Sequence, residues 1–521
     1  MFHKFKLLQI LMMRKLQNSS QILSKLLVYS IIFITSICIL HALTSDHDSS
    51  SCKHQKLRTN HIISSSKFSN INNILSNTKT SLSLQSNPVY ASKILDTNET
   101  ALHHIAFGIG ASSKLWDKRK EYIKLWWRPN QTRGYVWLDK PLLDNVEVEE
   151  DDENDDHLLP PIKISSDTSK FKYSNRKGDR SAIRISRIVS ETFRLGMEDV
   201  RWFVMGDDDT MFVVDNLVRV LQKYDHNEFY YIGGCSESHT QNIYFSYNMA
   251  YGGGGFAISY PLAKALENIQ DDCIQRYPGL YGSDDRIQAC MAELGVPLTK
   301  EIGFHQLDVY GNIFGLLAAH PITPLVSLHH LDIIDPIFPN MNQIEALERL
   351  KAPMKLDAAG LMQQSMCYDK SRKLTVSVSW GYVVQIFTGL VSARELEIPA
   401  RTFMSWYRKS DEAGFSFNTR GITKNGCERA TVYVFTNAIY NTLTNETASE
   451  YVINVEKDEW KCKEKVDDSS VIQRVVVYKD TNPLIWDKAP RRNCCRILHS
   501  EKPNTMLVDV GVCREDETME R

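Results

Sequence analysis

After residue 100, segments whose apolar positions have the spacing of a helix alternate with short apolar segments typical of strands. An apolar run from His103 to Gly110 predicts a strand, and the stretch from Ser113 to Trp127 has helical spacing. Val136 and Trp137 indicate a second strand. A helical pattern then covers Ser181–Met197, and Val200–Met205 predicts a buried strand. Strands that alternate with helices in this way are typical of an α/β core.

This alternation continues until the pattern changes near Pro353. It predicts a helix over residues 212–223, a strand over Tyr230–Gly234, and a strand over Tyr251–Ser259 that four consecutive glycines interrupt. Beyond Pro353 the apolar positions recur with period two, which predicts strands. These strands cover Leu374 to Trp380, Thr431 to Phe435 and Val471 to Tyr478. An α/β domain followed by a β-rich region suits a chain of 521 residues.

The N-terminal pattern differs, because Leu26–Leu43 contains 18 residues without an acid, a lysine or an arginine. This length is close to the minimum that crosses a bilayer. Basic residues and no acids precede it: Lys4, Lys6, Arg14, Lys15 and Lys25. The positive-inside bias therefore predicts a type II protein with its bulk in the lumen. A cleaved signal peptide is the alternative, but the apolar run begins late and lacks an evident cleavage site.

A lumenal location agrees with the sequons and the cysteines. The sequons that follow the apolar segment are Asn98-Glu99-Thr100, Asn130-Gln131-Thr132 and Asn445-Glu446-Thr447. Ten of the eleven cysteines follow the apolar segment, and an even number in an oxidising compartment indicates disulfides. Zinc is the alternative, but the chain has no CxxC spacing. The net charge of -2 gives no whole-chain bias toward nucleic acid, so we expect no such partner.

Three consecutive acids, Asp207, Asp208 and Asp209, follow the strand predicted over Val200–Met205. In open α/β sheets, ligands bind at the carboxyl ends of the strands. Adjacent carboxylates raise one another's pKa unless a cation is present, and carboxylate oxygens suit Mg²⁺ or Mn²⁺. The triplet therefore predicts a divalent metal that binds a diphosphate. The alternatives are an acidic turn that caps a helix and a haloacid-dehalogenase-type phosphatase, which would have Thr where Met211 stands.

Further motifs follow the triplet in a fixed order. Trp202-Phe203 precedes the acids, and Gly252-Gly253-Gly254-Gly255-Phe256, Asp284-Asp285 and His330-Leu331-Asp332 come after them. Over residues 103–335 the chain resembles the Fringe-like, inverting β-1,3-glycosyltransferases, most closely their land-plant relatives of unassigned function. The resemblance implies a GT-A-like nucleotide-sugar-binding domain with a mixed central sheet. It also implies Mn²⁺ or Mg²⁺ as cofactor and a UDP-sugar as donor.

The resemblance implies roles for individual residues near the donor. Asp209 would bind the metal directly, and Asp208 and Asp207 would face metal-bound water or the donor ribose. His330 would be a second metal ligand, and imidazole suits Mn²⁺. Arg187 stands near the position of a donor-binding lysine in the family, or is an exposed helix charge. The other histidines that compete for the ligand position are His305, His320 and His329.

The resemblance also implies roles near the acceptor for the glycines and for the second acidic pair. Gly253, Gly254 and Gly255 would line the sugar and acceptor cleft, where glycine lets the backbone approach closely, or they form a simple bulge. One of Asp284 and Asp285 would be the general base that takes the proton of the acceptor hydroxyl. Two alignments with the family select different members of the pair, and we favour Asp284.

These expectations give a division of the chain and a function. The predicted parts are a cytosolic tail (1–25), a transmembrane anchor (26–43), a disordered stem (44–99), a GT-A-like catalytic domain (100–352) and a β-rich, disulfide-containing region (353–521). The predicted protein is a type II membrane glycosyltransferase of the Golgi that inverts the anomeric centre and acts on a glycan or glycoconjugate. The alternative is an inactive, membrane-tethered glycan-binding or scaffold protein of the same fold.

Overall fold

A mixed sheet of seven strands lies at the centre of the N-terminal half, in the order β3-β2-β1-β4-β7-β6-β8. The structure is a computed structural model. The strands of this half are β1 (Ile105–Gly110), β2 (Arg133–Leu138), β3 (Ile162–Ile164), β4 (Trp202–Asp207), β5 (Met211–Phe212), β6 (Tyr231–Gly233), β7 (Phe256–Ser259), β8 (Leu298–Lys300), β9 (Phe304–His305), β10 (Val309–Gly311) and β11 (Ser327–Leu328). Only β7 runs antiparallel to its neighbours in the large sheet, so the predicted mixed sheet is confirmed.

The structure describes residues 99–142, 158–409, 412–425, 428–454, 472–482 and 484–519. The predicted transmembrane segment and the predicted stem up to residue 98, with the asparagine of the first sequon, Asn98, lie outside these ranges. Within them, the structure contains no helix whose length and apolar character would allow it to cross a membrane.

Helices cover both faces of the central sheet. The α-helices of the described residues are α1 (Trp116–Trp126), α2 (Ser181–Ser186), α3 (Ile188–Phe193), α4 (Val214–Leu221), α5 (His239–Tyr244), α6 (Tyr260–Arg276), α7 (Ser283–Glu293), α8 (Phe314–Ala318), α9 (Gln343–Asp357) and α10 (Ala393–Leu396). Successive side chains of a strand point to opposite faces. Trp202 and Val204 of β4 therefore join one apolar core with α1 and α4, and Phe203 joins another with α6 and α7. This two-sided burial explains the nearly continuous apolar sequence of β4.

An eight-stranded sheet forms the C-terminal half, in the order β12-β13-β14-β16-β17-β18-β20-β19. The strands of this half, with the short β15, are β12 (Gln364–Asp369), β13 (Leu374–Ser379), β14 (Val383–Thr388), β15 (Phe403–Ser405), β16 (Thr431–Asn441), β17 (Glu446–Ile453), β18 (Arg474–Asp480), β19 (Cys494–Leu498) and β20 (Thr505–Gly511). All pairs in the large sheet are antiparallel except β18 with β20. The β-rich character predicted for this region is present.

The two halves share buried contacts. One apolar core contains side chains of both large sheets, for example Val204 of β4 and Val477 of β18. Helix α9 runs across the predicted boundary at residue 353, and its Asp357 forms a buried ion pair with Lys479 of β18. The Lys479 ammonium also lies 5.0 Å from the centre of the Trp380 ring. The second sheet is thus packed directly against the first half.

Disulfides are present, as the cysteine count predicted. Cys273–Cys290 joins α6 to α7, Cys367–Cys495 joins β12 to β19, and Cys494–Cys513 closes the end of the second sheet. Neighbouring residues of a strand point to opposite faces, which lets Cys494 and Cys495 bond to different partners.

Two local predictions were wrong. The helix expected over Ser181–Met197 is broken into α2 and α3, because the Arg187 amide donates to Arg184 three residues back and not to residue 183. The four glycines do not interrupt a strand but precede β7. Gly255 has a φ of 85°, which an extended strand does not allow, and its amide donates to the Gly252 carbonyl 2.9 Å away in a closed turn.

Candidate active site at the carboxyl edge of the first sheet

The acidic triplet lies where β4 ends at the carboxyl edge of the central sheet. Asp207 is the last residue of β4, and the Asp208 amide donates to the Gly110 carbonyl at the end of β1. Thr210 closes the turn, because its hydroxyl accepts from the Asp207 amide at 2.8 Å and donates to the Gly253 carbonyl at 2.7 Å. The side chain of one threonine thus joins the triplet to the glycine turn.

His329 completes a cluster with two of these acids. Its Nε2 atom lies 3.2 Å from Asp209 Oδ1 and 3.7 Å from Asp207 Oδ2. The pairing of β11 with β5 explains this contact, since Leu328 lies opposite Met211, two residues after the triplet. One short antiparallel strand pair therefore brings together His329 and Asp209, which are 120 residues apart in the sequence.

His330, the histidine that the resemblance selected, lies outside this cluster. Its Nδ1 atom is 3.0 Å from Asp308 Oδ1, and its ring stacks on Trp406 with centroids 5.0 Å apart. The backbone of His330 has a φ of 52°, and its ring lies beside that of His329, with centroids 4.1 Å apart, and next to Trp406. Of the two neighbouring histidines, the structure thus brings His329, one of the competing histidines, together with Asp207 and Asp209. The role of His330 as a metal ligand stays a prediction.

The hydrogen bonds of His329 fit a metal ligand. Its Nδ1 atom lies 3.3 Å from the Gln306 carbonyl oxygen, which can only accept, so Nδ1 carries a proton and Nε2 faces the acids. Histidines that bind metals commonly donate their other N–H to such a carbonyl. Asp209 Oδ1 is buried and receives no well-aligned hydrogen bond from the described residues. One imidazole nitrogen and carboxylate oxygens suit Mn²⁺.

A second group of possible ligands, His103, His104 and Asp199, has the opposite arrangement. The Ala101 amide donates to His104 Nδ1 at 2.9 Å, so a neutral His104 carries its proton on Nε2, the atom that faces Asp199. That nitrogen then has no lone pair for a metal. The hydrogen bonds of the histidines therefore fit a bound cation at the cluster of Asp207, Asp209 and His329, and do not fit one at the cluster of His103, His104 and Asp199.

Arg119 also binds the triplet, and the sequence alone did not single it out. Its guanidinium lies 2.8 Å from Asp208 Oδ1, 3.2 Å from Asp209 Oδ2 and 3.1 Å from Asp332 Oδ2. Tyr122, one turn further along α1, donates to Asp332 at 2.8 Å. The sequence position of Arg119 could have indicated this contact. The helix that follows the first strand of an α/β unit begins near the carboxyl edge of the sheet, and Arg119 lies in the first turn of that helix.

The charges of the cluster depend on one another. Burial and the neighbouring carboxylates raise the pKa of Asp207 to about 7. Burial also opposes ionisation of Asp209, but His329 outweighs it and holds the pKa of Asp209 well below its usual range. Burial disfavours charge on His329, but Asp209 and Asp207 outweigh it and raise the pKa of His329 to about 9. Asp209 and His329 therefore form an ion pair.

The glycine turn forms the surface against which His329 packs. A Cβ atom at position 253 would lie 2.0 Å from a carbon of the His329 ring, so only glycine fits there. The Gly254 amide donates to the Gln306 side chain at 2.7 Å, next to the carbonyl that orients His329. Gly253 and Gly254 thus shape the cluster. The predicted contact of the turn with a sugar stays a prediction.

The two acids of the second pair have different surroundings. Asp285 accepts hydrogen bonds from the amides of Tyr281 and Gly282, at 2.7 Å and 2.9 Å, and so caps its own helix, α7. Asp284 faces the glycine turn, where a Cβ atom at Gly252 would lie 2.6 Å from its Oδ1. Asp284 and Asp207 line the same small cavity. Burial raises the pKa of Asp284 to about 6.

Arg187 does not reach the triplet. It is buried and lies 3.0 Å from Glu191 and 2.9 Å from Asp271, on the side of α6. Arg184 stands at the sheet edge instead, and donates to the Trp137 and Ala111 carbonyls, each at 2.9 Å. Arg184 is therefore the basic residue of α2 that lies at the ends of β1 and β2.

A mixed α/β sheet with a buried cluster of acids and one histidine at its carboxyl edge is typical of enzymes that bind nucleotide diphosphates. Residues 100–314 match the Fringe-like family, and residues 241–495 match a family described as protein of unknown function, DUF604. Residues 100–314 are thus Fringe-like, as the motifs predicted. This match supports the predicted class, a glycosyltransferase.

Two solved structures are similar over part of the chain. One is the mannosyltransferase PcManGT from Pyrobaculum calidifontis in complex with GDP-Man and Mn²⁺, at 13% identity over 44% of this chain. The chain spans 59% of that protein. The other is the apo form of mouse xyloside xylosyltransferase 1, at 9% identity over 40% of this chain and 86% of that one. Both have a TM-score of 0.25, and no argument rests on them.

Replacing Arg119 by Met should destabilise the protein by about 3 kcal/mol, because the loss of one partner leaves a buried charge uncompensated. The control is Lys118→Met on the same helix, whose side chain is 70% exposed and should matter little. The measurement is chemical denaturation in the presence of EDTA. Added Mn²⁺ should restore part of the loss if a cation can replace the guanidinium. Equal effects of the two variants would contradict this account of the triplet.

Proposed function

We propose that the protein transfers a sugar from a UDP-sugar to a glycan or glycoconjugate, with inversion and with a divalent cation, forming a β-1,3 linkage. The observation that carries the proposal is the cluster of Asp207, Asp209 and His329, in which Asp209 and His329 are buried and Asp207 lines a small cavity together with Asp284. The match of residues 100–314 to the Fringe-like family supports the same chemistry.

Asp209 and His329 would hold the cation, and Asp207 is within reach of the same position. A bound Mn²⁺ or Mg²⁺ would supply charge that neutralises the diphosphate as it leaves. The chain itself pre-arranges this site. The Gln306 carbonyl orients His329, and the glycine turn presses against the ring. Arg119 bridges Asp208 and Asp209 and would keep the carboxylates in place around the donor.

Asp284 is the proposed general base. Its Oδ1 accepts from the Ser283 hydroxyl at 2.9 Å, and the Gly252 amide also donates to the carboxylate, so the group is held in one orientation. It would take the proton of the acceptor hydroxyl as that oxygen attacks the anomeric carbon. A single base opposite the leaving group is sufficient for inversion, since no enzyme nucleophile takes part. The Asp285 carboxylate accepts hydrogen bonds from two backbone amides at the start of its own helix. We therefore assign the role of base to Asp284.

The location that accompanies this function is the Golgi lumen, with the chain anchored as a type II protein through Leu26–Leu43. The apolar segment and the basic residues before it motivate this part of the proposal. Two of the sequon asparagines, Asn130 and Asn445, are exposed and would be accessible to the glycosylation machinery.

Replacing His329 by Ala should weaken Mn²⁺ binding by more than about 100-fold, beyond the loss typical of residues that only support a ligand. His103→Ala is the control, since the tautomer of His104 predicts no cation at that cluster. Calorimetric titration with Mn²⁺ measures both. Retained affinity in the His329 variant would exclude it as a ligand.

Asp284→Asn should lower the transfer rate by about 10²- to 10⁴-fold, with binding of UDP and Mn²⁺ retained. Asp285→Asn, which keeps a capping oxygen, should leave the rate nearly unchanged. The wild-type rate should fall as the pH drops through about 6, because a protonated Asp284 cannot accept the proton. UDP release across a panel of UDP-sugars measures the rate. A large loss in the Asp285 variant alone would reverse the assignment.

Lumenal topology predicts N-glycans at the exposed sequons. Treatment with an endoglycosidase should reduce the apparent mass of the protein expressed in eukaryotic cells. Asn130→Gln and Asn445→Gln should each remove part of that shift, whereas Asn312→Gln, outside any sequon, should not. A chain without any glycan would count against the lumenal location.

A further inference from the structure

A column of stacked groups leads from the candidate metal ligand toward the surface. The rings of His329 and His330 have centroids 4.1 Å apart, and His330 stacks on Trp406 at 5.0 Å with an angle of 12°. Trp406 stacks on Tyr310 at 5.0 Å, and the Arg408 guanidinium lies 4.8 Å from the Tyr310 centroid. These spacings are those of favourable aromatic and cation–π contacts.

Two members of the column, Trp406 and Arg408, come from the C-terminal region. Trp406 directly follows β15, which pairs with β10 so that Met404 lies opposite Tyr310. The hydroxyl of Thr402 also donates to the Asn312 carbonyl at 2.6 Å and accepts from the Gly315 amide. Trp406 and both histidines lie beyond residue 314, where the Fringe-like match ends, and within the DUF604 match. The column is therefore a feature of this chain's C-terminal extension of the site.

The column restrains His330 in a conformation that a histidine rarely adopts. Its φ of 52° is unfavourable for a residue with a Cβ atom and requires support from its surroundings. Asp308 Oδ1 lies 3.0 Å from Nδ1 of the His330 ring, and the Trp406 indole stacks on one face of that ring. Because His329 is the preceding residue, a fixed His330 also fixes the backbone from which His329 reaches Asp209.

We propose that Trp406 is a positioning residue for His329, so that the C-terminal region completes the cation site of the first half. This inference rests on the proposed function for the cation itself. It assigns to residues beyond 353 a part in the site, where the sequence predicted an accessory region. Removal of the indole would let His330 relax and would displace His329 from Asp209.

The test compares Trp406→Leu, which keeps apolar volume but not the stack, and Trp406→Phe, which keeps a ring, in the full chain. Tyr407→Ala is the matched control, since Tyr407 is adjacent, 54% exposed and not one of the stacked rings. Thermal unfolding checks that each variant is folded. Two readouts follow: Mn²⁺ affinity by calorimetry, and reaction of His329 with diethyl pyrocarbonate, mapped by mass spectrometry in metal-free protein.

We expect Trp406→Leu to weaken Mn²⁺ binding by about 10-fold and to raise the reactivity of the buried His329 several-fold. Trp406→Phe should lie close to wild type, and Tyr407→Ala should match it in both readouts. Unchanged His329 reactivity in Trp406→Leu overturns the proposal, as does unchanged affinity when the wild type binds Mn²⁺. A wild type that binds no Mn²⁺ would overturn the proposed function instead, and the reactivity readout would still decide the role of Trp406.

Discussion

Positive charge from Arg119 and His329 allows the carboxylates at the end of β4 to be buried. Asp208 and Asp209 are each only 2% exposed, and burial alone would force such groups to take up protons. Arg119 bridges both acids, and His329 pairs with Asp209. Because a buried ion pair is stable only when its partners are held accurately, the surrounding fold has to place each of these side chains within hydrogen-bond distance.

The fold meets this requirement with elements from separate parts of the chain. Helix α1 brings Arg119 to the edge of the sheet, β4 ends in the acids, and β11 pairs beside β5 and presents His329. Beyond these, β15 pairs with β10 and places Trp406 on His330. The C-terminal half thus contributes a residue that packs next to the site. It also shares one apolar core with the first sheet, so packing couples the two halves.

Local patterns predicted much of this arrangement. Alternating apolar periods gave the order of helices and strands in the first half, because burial imposes those periods directly on the sequence. The triplet stood out because adjacent acids after a buried strand are costly without a cation. The alternatives that remained, between Asp284 and Asp285 and between His329 and His330, involved neighbours in the sequence. Neighbouring residues share the same local pattern, and only the direction of each side chain separates them.

By itself, the sequence determined the α/β core, the β-rich C-terminal region, the presence of disulfides, the Fringe-like motifs and the acids at the end of β4. These depend on composition, on periodicity or on residues that are adjacent in the chain. Tertiary structure alone decided which histidine reaches Asp209, that Arg119 and not Arg187 binds the triplet, and that Trp406 stacks on His330. Those contacts join residues 76 to 120 positions apart in the sequence, and strand pairing and helix packing, which no local pattern encodes, set their geometry.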